Sequence, residues 1–251
     1  MKTAVITGAS SGLGVELALA AAEKFPDIEC FWLIARRTDR LQETSEKLGR
    51  STLLISADLS SDAGLDEYKA ALERDRPDVR LLINNAGFGI LGDVAEADPC
   101  EQAGMIDVNI RALTVMTVLT LPYMSDGSMI VNTSSIASFC PTPRMTVYSS
   151  TKAYVTSFTR GLAEELRPRG ISVTAVCPGP MATEFISVAR ITGNSKTFNT
   201  LPYCDPVKVA RGTIDAAASG RVVYTPKAFY RFYRFVAKIL PHSLVVKMAK
   251  T

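Results

Sequence analysis

Over the first 225 residues, short runs of apolar, β-branched-rich sequence alternate with longer stretches whose apolar positions recur at helical spacing. Such runs read as strands covered on both faces, and the stretches between them as the crossover helices of a parallel sheet. The pattern predicts strands over 3–7, 30–35, 52–57, 79–84, 128–133, 171–177 and 222–224, and helices over 13–24, 39–48, 62–74, 103–122, 147–167 and 205–218. Gly49, Gly170 and Gly220 stand where helix C-caps belong, and Asp205-Pro206 reads as an N-cap followed by a first helical residue. The expected fold is α/β: a single-domain, Rossmann-type doubly wound parallel sheet of about seven strands with helices on both faces and ligands at the carboxyl ends of the strands. No repeat or linker divides residues 1–225, and 226–251 follow as a tail. The least regular piece, 178–202, is expected to be a substrate loop.

Composition narrows the chemistry. A chain of 251 residues with 47% hydrophobic and 21% charged positions can bury a large core. Its single histidine, His242, excludes a metal site needing two, and no metal is expected. The net charge of +3 is too slight for nucleic-acid binding by the whole surface. That average hides a split, because Lys227, Arg231, Arg234, Lys238, Lys247 and Lys250 give the tail +6 with no acid and leave −3 for the rest. Cys30, Cys100, Cys140, Cys177 and Cys204 are odd in number and widely spaced, which suits reduced thiols. The chain enters a strand directly after Met1-Lys2, leaving no room for a signal peptide, and no stretch is expected to reach transmembrane length. A cytoplasmic protein is expected, with peripheral membrane contact through the tail as an option.

The segment Thr7-Gly8-Ala9-Ser10-Ser11-Gly12-Leu13-Gly14 joins the first strand to the first helix. Glycines there permit a tight turn that points helix amides at a pyrophosphate. The same residues contain Gly8-Ala9-Ser10-Ser11-Gly12, the G-x-S-x-G of a serine-hydrolase elbow, with His242 late in the chain; that alternative has only one strand ahead of the turn.

With Asn84-Asn85-Ala86-Gly87 after the fourth strand, Ser135 after the fifth, Tyr148-x-x-x-Lys152 on the next helix and Pro178-Gly179 followed by Thr183, the chain resembles the classical short-chain dehydrogenases/reductases. The resemblance implies a catalytic tetrad of Asn109, Ser135, Tyr148 and Lys152. It also implies a dinucleotide held by Thr7, Gly8, Ser10, Ser11, Gly12, Leu13 and Gly14, by Asp58 (at the adenine) and Leu59, and by Asn85, Ala86 and Gly87. Tyr148, Lys152, Pro178, Gly179, Met181 and Thr183 complete that set. Asn109 would hold a water on the proton path, and pairing into a homodimer or homotetramer is implied as well.

The residue types suit the reaction. No side chain donates hydride, so a cofactor must. A tyrosine can supply the proton, and Lys152, one turn on, is expected to favour its phenolate. Ser135 is placed to donate to the substrate oxygen, Thr133-Ser134-Ser135 offering neighbours but the spacing to Tyr148 favouring Ser135. At the end of the second strand Ala35-Arg36-Arg37 offers guanidinium groups where a carboxylate would select NAD, so NADP(H) is favoured over NAD(H), with Arg36 in direct contact and Arg37 and Ser10 assisting. Apolar residues of the loop, Met181, Phe185, Ile186, Val188, Ile191 and Phe198, with Phe139 and Met145, suggest a hydrophobic carbonyl or alcohol. Ser135, Phe139, Met145 and Phe185 are the expected substrate contacts, and steroid-like or acyl compounds fit by analogy. A non-catalytic nucleotide-binding or redox-sensing module is the alternative of another class. The tail reads as a basic amphipathic helix that packs on the domain or a partner, lies on a membrane, or covers an apolar pocket.

Overall fold

Strand β1 (Lys2–Thr7) is buried at all positions but its first, and β2 (Cys30–Ala35) at every one. Helices on both sides account for this, since a strand covered on both faces has no solvent side to make polar. The computed structural model describes residues 1–191 and 196–249; the side chains of Lys196, Thr197, His242 and Met248 also lie outside the described set. With β3 (Ser51–Ser56), β4 (Asp78–Asn84), β5 (Met129–Thr133), β6 (Ser172–Val176) and β7 (Val223–Tyr224), these strands form one seven-stranded sheet in the order 3-2-1-4-5-6-7, parallel throughout.

The crossovers are α1 (Gly12–Lys24), α2 (Thr38–Leu48), α3 (Asp62–Asp75), α4 (Pro99–Ile106), α5 (Leu113–Thr120) and α6 (Thr146–Glu165). Beyond β6 come α7 (Phe185–Val188), α8 (Lys196–Thr200) and α9 (Pro206–Ala218), and beyond β7 come α10 (Ala228–Ile239) and α11 (His242–Met248). Alternate strand positions serve opposite faces: Ile6, Phe31 and Leu33 pack with α1, α2 and α9, whereas Val5, Trp32 and Ile34 pack with α3, α5 and α6. Winding reverses between β1 and β4, and this switch point opens a crevice at the carboxyl edge. Asn84 and Asn132 staple β4 to β5: Asn84 Nδ2 donates to Asn132 Oδ1 (2.9 Å) and to Thr117 Oγ1 (2.9 Å), and Asn132 Nδ2 to Thr159 Oγ1 (3.0 Å).

The helix expected over 103–122 differs from that reading in two ways. It starts at Pro99, because Asp98 caps it by accepting from the amides of Cys100 (2.7 Å) and Glu101 (3.3 Å). It is also split by a widened π turn, Asp107–Ala112, of the kind that re-aims side chains at functional sites. By length and composition the run Pro99–Tyr123, 25 residues containing an 18-residue stretch with a mean hydropathy of 1.4, is long and apolar enough to cross a membrane, contrary to the expectation for this chain. Asp107, Asn109 and Arg111 hid that apolarity, and Met105, Ala112 and Met116 bury the run's inner side in the protein. The 178–202 segment carries two short helices, and the tail carries two helices rather than one.

Candidate active site

The β1–α1 turn is shaped by close backbone approach. Gly8 has φ +67°, and a Cβ there would stand 2.9 Å from Ala86 Cα. Thr7 Oγ1 accepts the amides of Asn85 (2.9 Å) and Ala86 (3.0 Å), locking the segment after β4 beside the turn. Ser11, the N-cap of α1, makes no side-chain cap bond, and Gly12 and Leu13 of the first helical turn face a cavity of about 820 Å³. Uncapped amides at a helix start are donors suited to an anion.

The cavity runs from the β2 end to α6. At its inner end stand Ser135, Tyr148 and Lys152, each less than a tenth exposed. Tyr148 hydrogen-bonds with Ser135, whose Oγ also accepts from the Ala137 amide (3.1 Å). The neighbouring Ser134 hydroxyl donates instead to the Lys152 carbonyl (2.9 Å), which removes it from the cavity centre. Lys152 Nζ donates to the Thr133 carbonyl (2.8 Å) and lies 5.7 Å from the Tyr148 ring centroid. Asn109, turned inward by the π turn, spends its amide on Phe88 N (3.0 Å), Phe88 O (2.9 Å) and Thr151 Oγ1 (3.0 Å).

Burial dominates the ionisation of this group. The Tyr148 phenol is pushed up to about 12 by loss of water, with the Ser135 hydrogen bond acting the other way. The Lys152 ammonium is brought down to about 8, also by burial. In the chain alone, therefore, burial sets both shifts and opposes the charged form of each group. At neutral pH the pair stands as a neutral phenol beside a mostly charged amine.

At the outer end Arg37 Nη2 donates to Glu184 Oε2 (2.8 Å) and to Ser10 Oγ (3.4 Å). Arg36 faces Asp58, whose carboxyl is held below its ordinary range first by the Ser60 amide and also by Arg36. The side chain set against Ser10 is the Arg37 guanidinium, which cannot take its proton; the His242 side chain lies outside the described residues.

A family model described as short chain dehydrogenase matches residues 2–192. The chain belongs to the short-chain dehydrogenase family. Among its relatives, the very-long-chain 3-oxoacyl-CoA reductase of Anas platyrhynchos is 32% identical over 257 aligned residues, covering 98% of this chain and 78% of that one. A short-chain dehydrogenase from Sphingobium yanoikuyae solved with NADPH superposes with a TM-score of 0.82 at 27% identity, over 95% of this chain and 93% of that one. A 3-ketoacyl-(acyl-carrier-protein) reductase from Brucella melitensis, solved with NADH, gives 0.76 at 27% identity, over 89% and 96%. As a short-chain dehydrogenase this chain is an oxidoreductase acting on an alcohol or ketone.

The nicotinamide dinucleotide that the family implies fits the residues present. Uncapped α1 amides face one part of the cavity and Arg36 and Arg37 another, as a pyrophosphate and a ribose phosphate would require. Of the residues expected to hold it, all line the cavity except Thr7 and Gly14, which stand one layer behind: Thr7 on the Asn85 and Ala86 amides, Gly14 against the Gly8 carbonyl. Asn109 also stands behind the wall, as support for Phe88. Met145 and Phe185 line the inner cavity, but Phe139 does not. It packs on the tail instead, 6.2 Å from the Tyr233 ring and 5.9 Å from the Arg234 guanidinium. Several wall residues escaped the sequence reading by residue, among them Phe88, Glu184, the partner of Arg37, and Tyr230 and Tyr233 of α10. Only the aromatic density of the tail hinted at the last two.

Proposed function

We propose that this short-chain dehydrogenase interconverts a hydrophobic secondary alcohol and its ketone with NADP(H), using Tyr148 as the proton donor and acceptor. The observation that carries the reading is the convergence of a protonated phenol, a serine hydroxyl and a buried ammonium at one end of a cavity with two guanidinium groups at the other. The bound nicotinamide supplies the hydride. The chain supplies the rest. Ser135 donates to the carbonyl oxygen as negative charge grows on it, and Tyr148 Oη hands its proton to that oxygen. A phenol held near 12 stays protonated at neutral pH, which suits reduction; oxidation of the alcohol needs the phenolate and gains as pH rises. Lys152 adds positive charge 5.7 Å from the ring, offsetting the phenolate left behind.

Arg36 and Arg37 support NADP, since a 2′-phosphate accepts paired guanidinium donors that a ribose hydroxyl cannot fully use. Glu184 opposes that preference by holding Arg37. Phe88, Met145, Phe185 and Phe198 in the wall favour a long apolar ketone of the acyl or steroid-like kind. The test is NADPH and NADH oxidation over acyl, steroid and aromatic ketones. We expect turnover with a lower KM for NADPH, erased in Arg36→Ala/Arg37→Ala. Equal use of both cofactors by the native chain overturns the cofactor reading, and inertness toward every ketone overturns the function.

A further inference from the structure

The tail is basic without relief, and α10 sorts its residues by face. Inward, Tyr230 is fully buried on Gly179, where a Cβ would come within 2.2 Å of the ring, and its hydroxyl donates to the Pro202 carbonyl (3.0 Å). Outward, Phe232, Phe235 and Ile239 are 67%, 60% and 62% exposed. Their spacing of three and four residues makes one stripe, and the exposed cations Arg231 and Lys238 run beside it. In α11, Leu244 and Lys247 are also exposed. On the margin between the stripe and the buried face, Phe229 and Val236 line the cavity; Phe229 is at the same time more than half exposed, which places it at the rim.

We propose that α10 and α11 seat this enzyme on an anionic lipid bilayer and that the cavity opens at the seat, so that an apolar ketone dissolved in the lipid reaches Tyr148 without crossing water. The second clause rests on the ketone-reductase reading; the first does not. Scattered exposed apolar residues are ordinary, but a contiguous stripe of large ones rimmed by cations marks a surface for something. A bilayer interface satisfies both parts, taking the rings and the isoleucine among the acyl chains while lipid phosphates and carboxylates meet the cations. A second copy of the chain suits the surface poorly. Two-fold pairing would bring Arg231 and Lys238 of both copies to one interface, and the tail holds no acid to offset them.

The experiment pellets the full chain with vesicles of phosphatidylcholine alone or with about 30% phosphatidylserine. We expect binding to the anionic vesicles, roughly tenfold weaker binding to the neutral ones, and release by salt. The variant Phe232→Ser/Phe235→Ser/Ile239→Ser alters residues outside the cavity wall. It should keep its circular dichroism and its rate on a short, water-soluble ketone. It should lose at least about tenfold in vesicle affinity and, in proportion, its rate on a long-chain ketone carried in the vesicles. A chain that stays in the supernatant with both vesicles, or a triple variant that pellets as well as the native chain, overturns the docking face. Self-association that disappears in the triple variant, without vesicle binding, assigns the stripe to a second copy and overturns it too. An unchanged rate on the vesicle-borne ketone overturns the portal. Inertness toward every ketone removes the reductase reading and the portal together, while pelleting still decides the docking face.

Discussion

Replacing Lys152 by Met should make the cofactor-free protein more stable while disabling it. The ammonium is 4% exposed, and burial moves it from 10.5 to about 8. At about 1.36 kcal/mol per unit, that shift corresponds to roughly 3 kcal/mol by which the folded chain disfavours the charge. Methionine fills nearly the same space without charge, but leaves the Thr133 carbonyl without its 2.8 Å donor, a loss of about 1 kcal/mol. The net gain for Lys152→Met at pH 7 is therefore about 2 kcal/mol. The sign with pH follows from the direction of the shift. A lowered amine means that the native fold binds fewer protons than the unfolded chain between about 8 and 10.5, so native stability rises with pH across that window and the full penalty stands below it. Urea unfolding of both proteins at pH 7 and pH 10 reads this directly: the variant leads at pH 7, and its lead shrinks toward zero or reverses by pH 10. A variant less stable than native at pH 7, or a gap that does not change with pH, would refute the desolvation argument. Turnover should fall at least about a hundredfold in the same variant, because the charge beside Tyr148 is gone.

Other outcomes follow from the same geometry. Glu184→Gln releases Arg37 from its 2.8 Å partner; both groups are about half exposed, so NADPH KM should drop by no more than about fivefold, and a rise would contradict the competition. The kcat/KM for NADPH in ketone reduction should be flat below about pH 8 and fall above it as Lys152 loses its charge, while alcohol oxidation climbs; a reductive rate rising through pH 8 would contradict the assignment. Tyr230→Ala empties a fully buried site between α10 and Gly179, costing about 3 kcal/mol and lowering Tm by roughly 6–12 °C, with tryptic cleavage shifting to residues 227–249. Asn132→Ala strips Asn84 Nδ2 of one acceptor and Thr159 of its donor, a loss of about 2–3 kcal/mol by urea unfolding.

The sheet was legible because fully apolar strand runs leave little choice of element. β2 matches its expected span and the other strands differ by at most two residues at either end. The gathering of Ser135, Tyr148 and Lys152 at one cavity was legible because they occupy a strand end and one helical turn, where spacing in sequence converts directly to direction in space. Layering was not. Thr7, Gly14 and Asn109 belong to the right segments, yet which of two adjacent layers a residue occupies depends on packing partners such as Phe88 and Ala86 that lie far away in the chain. The π turn that re-aims Asn109 left no mark in the hydrophobic period, since one widened turn shifts the pattern less than the scatter of the apolar positions. Phe139 was misplaced because the tail competes for its ring. Glu184 escaped because a carboxylate at a loop's helical edge looks like any solvated acid until Arg37 is placed against it.

The central claim is that Tyr148 delivers the proton in a carbonyl reduction. Its most direct test is a single-turnover mixing of the enzyme–NADPH complex with a ketone found active, for native chain and Tyr148→Phe. Removing one hydroxyl should leave NADPH affinity within about twofold and slow hydride transfer by about 10²–10⁴. An unchanged rate in Tyr148→Phe, with NADPH still bound, would contradict the account.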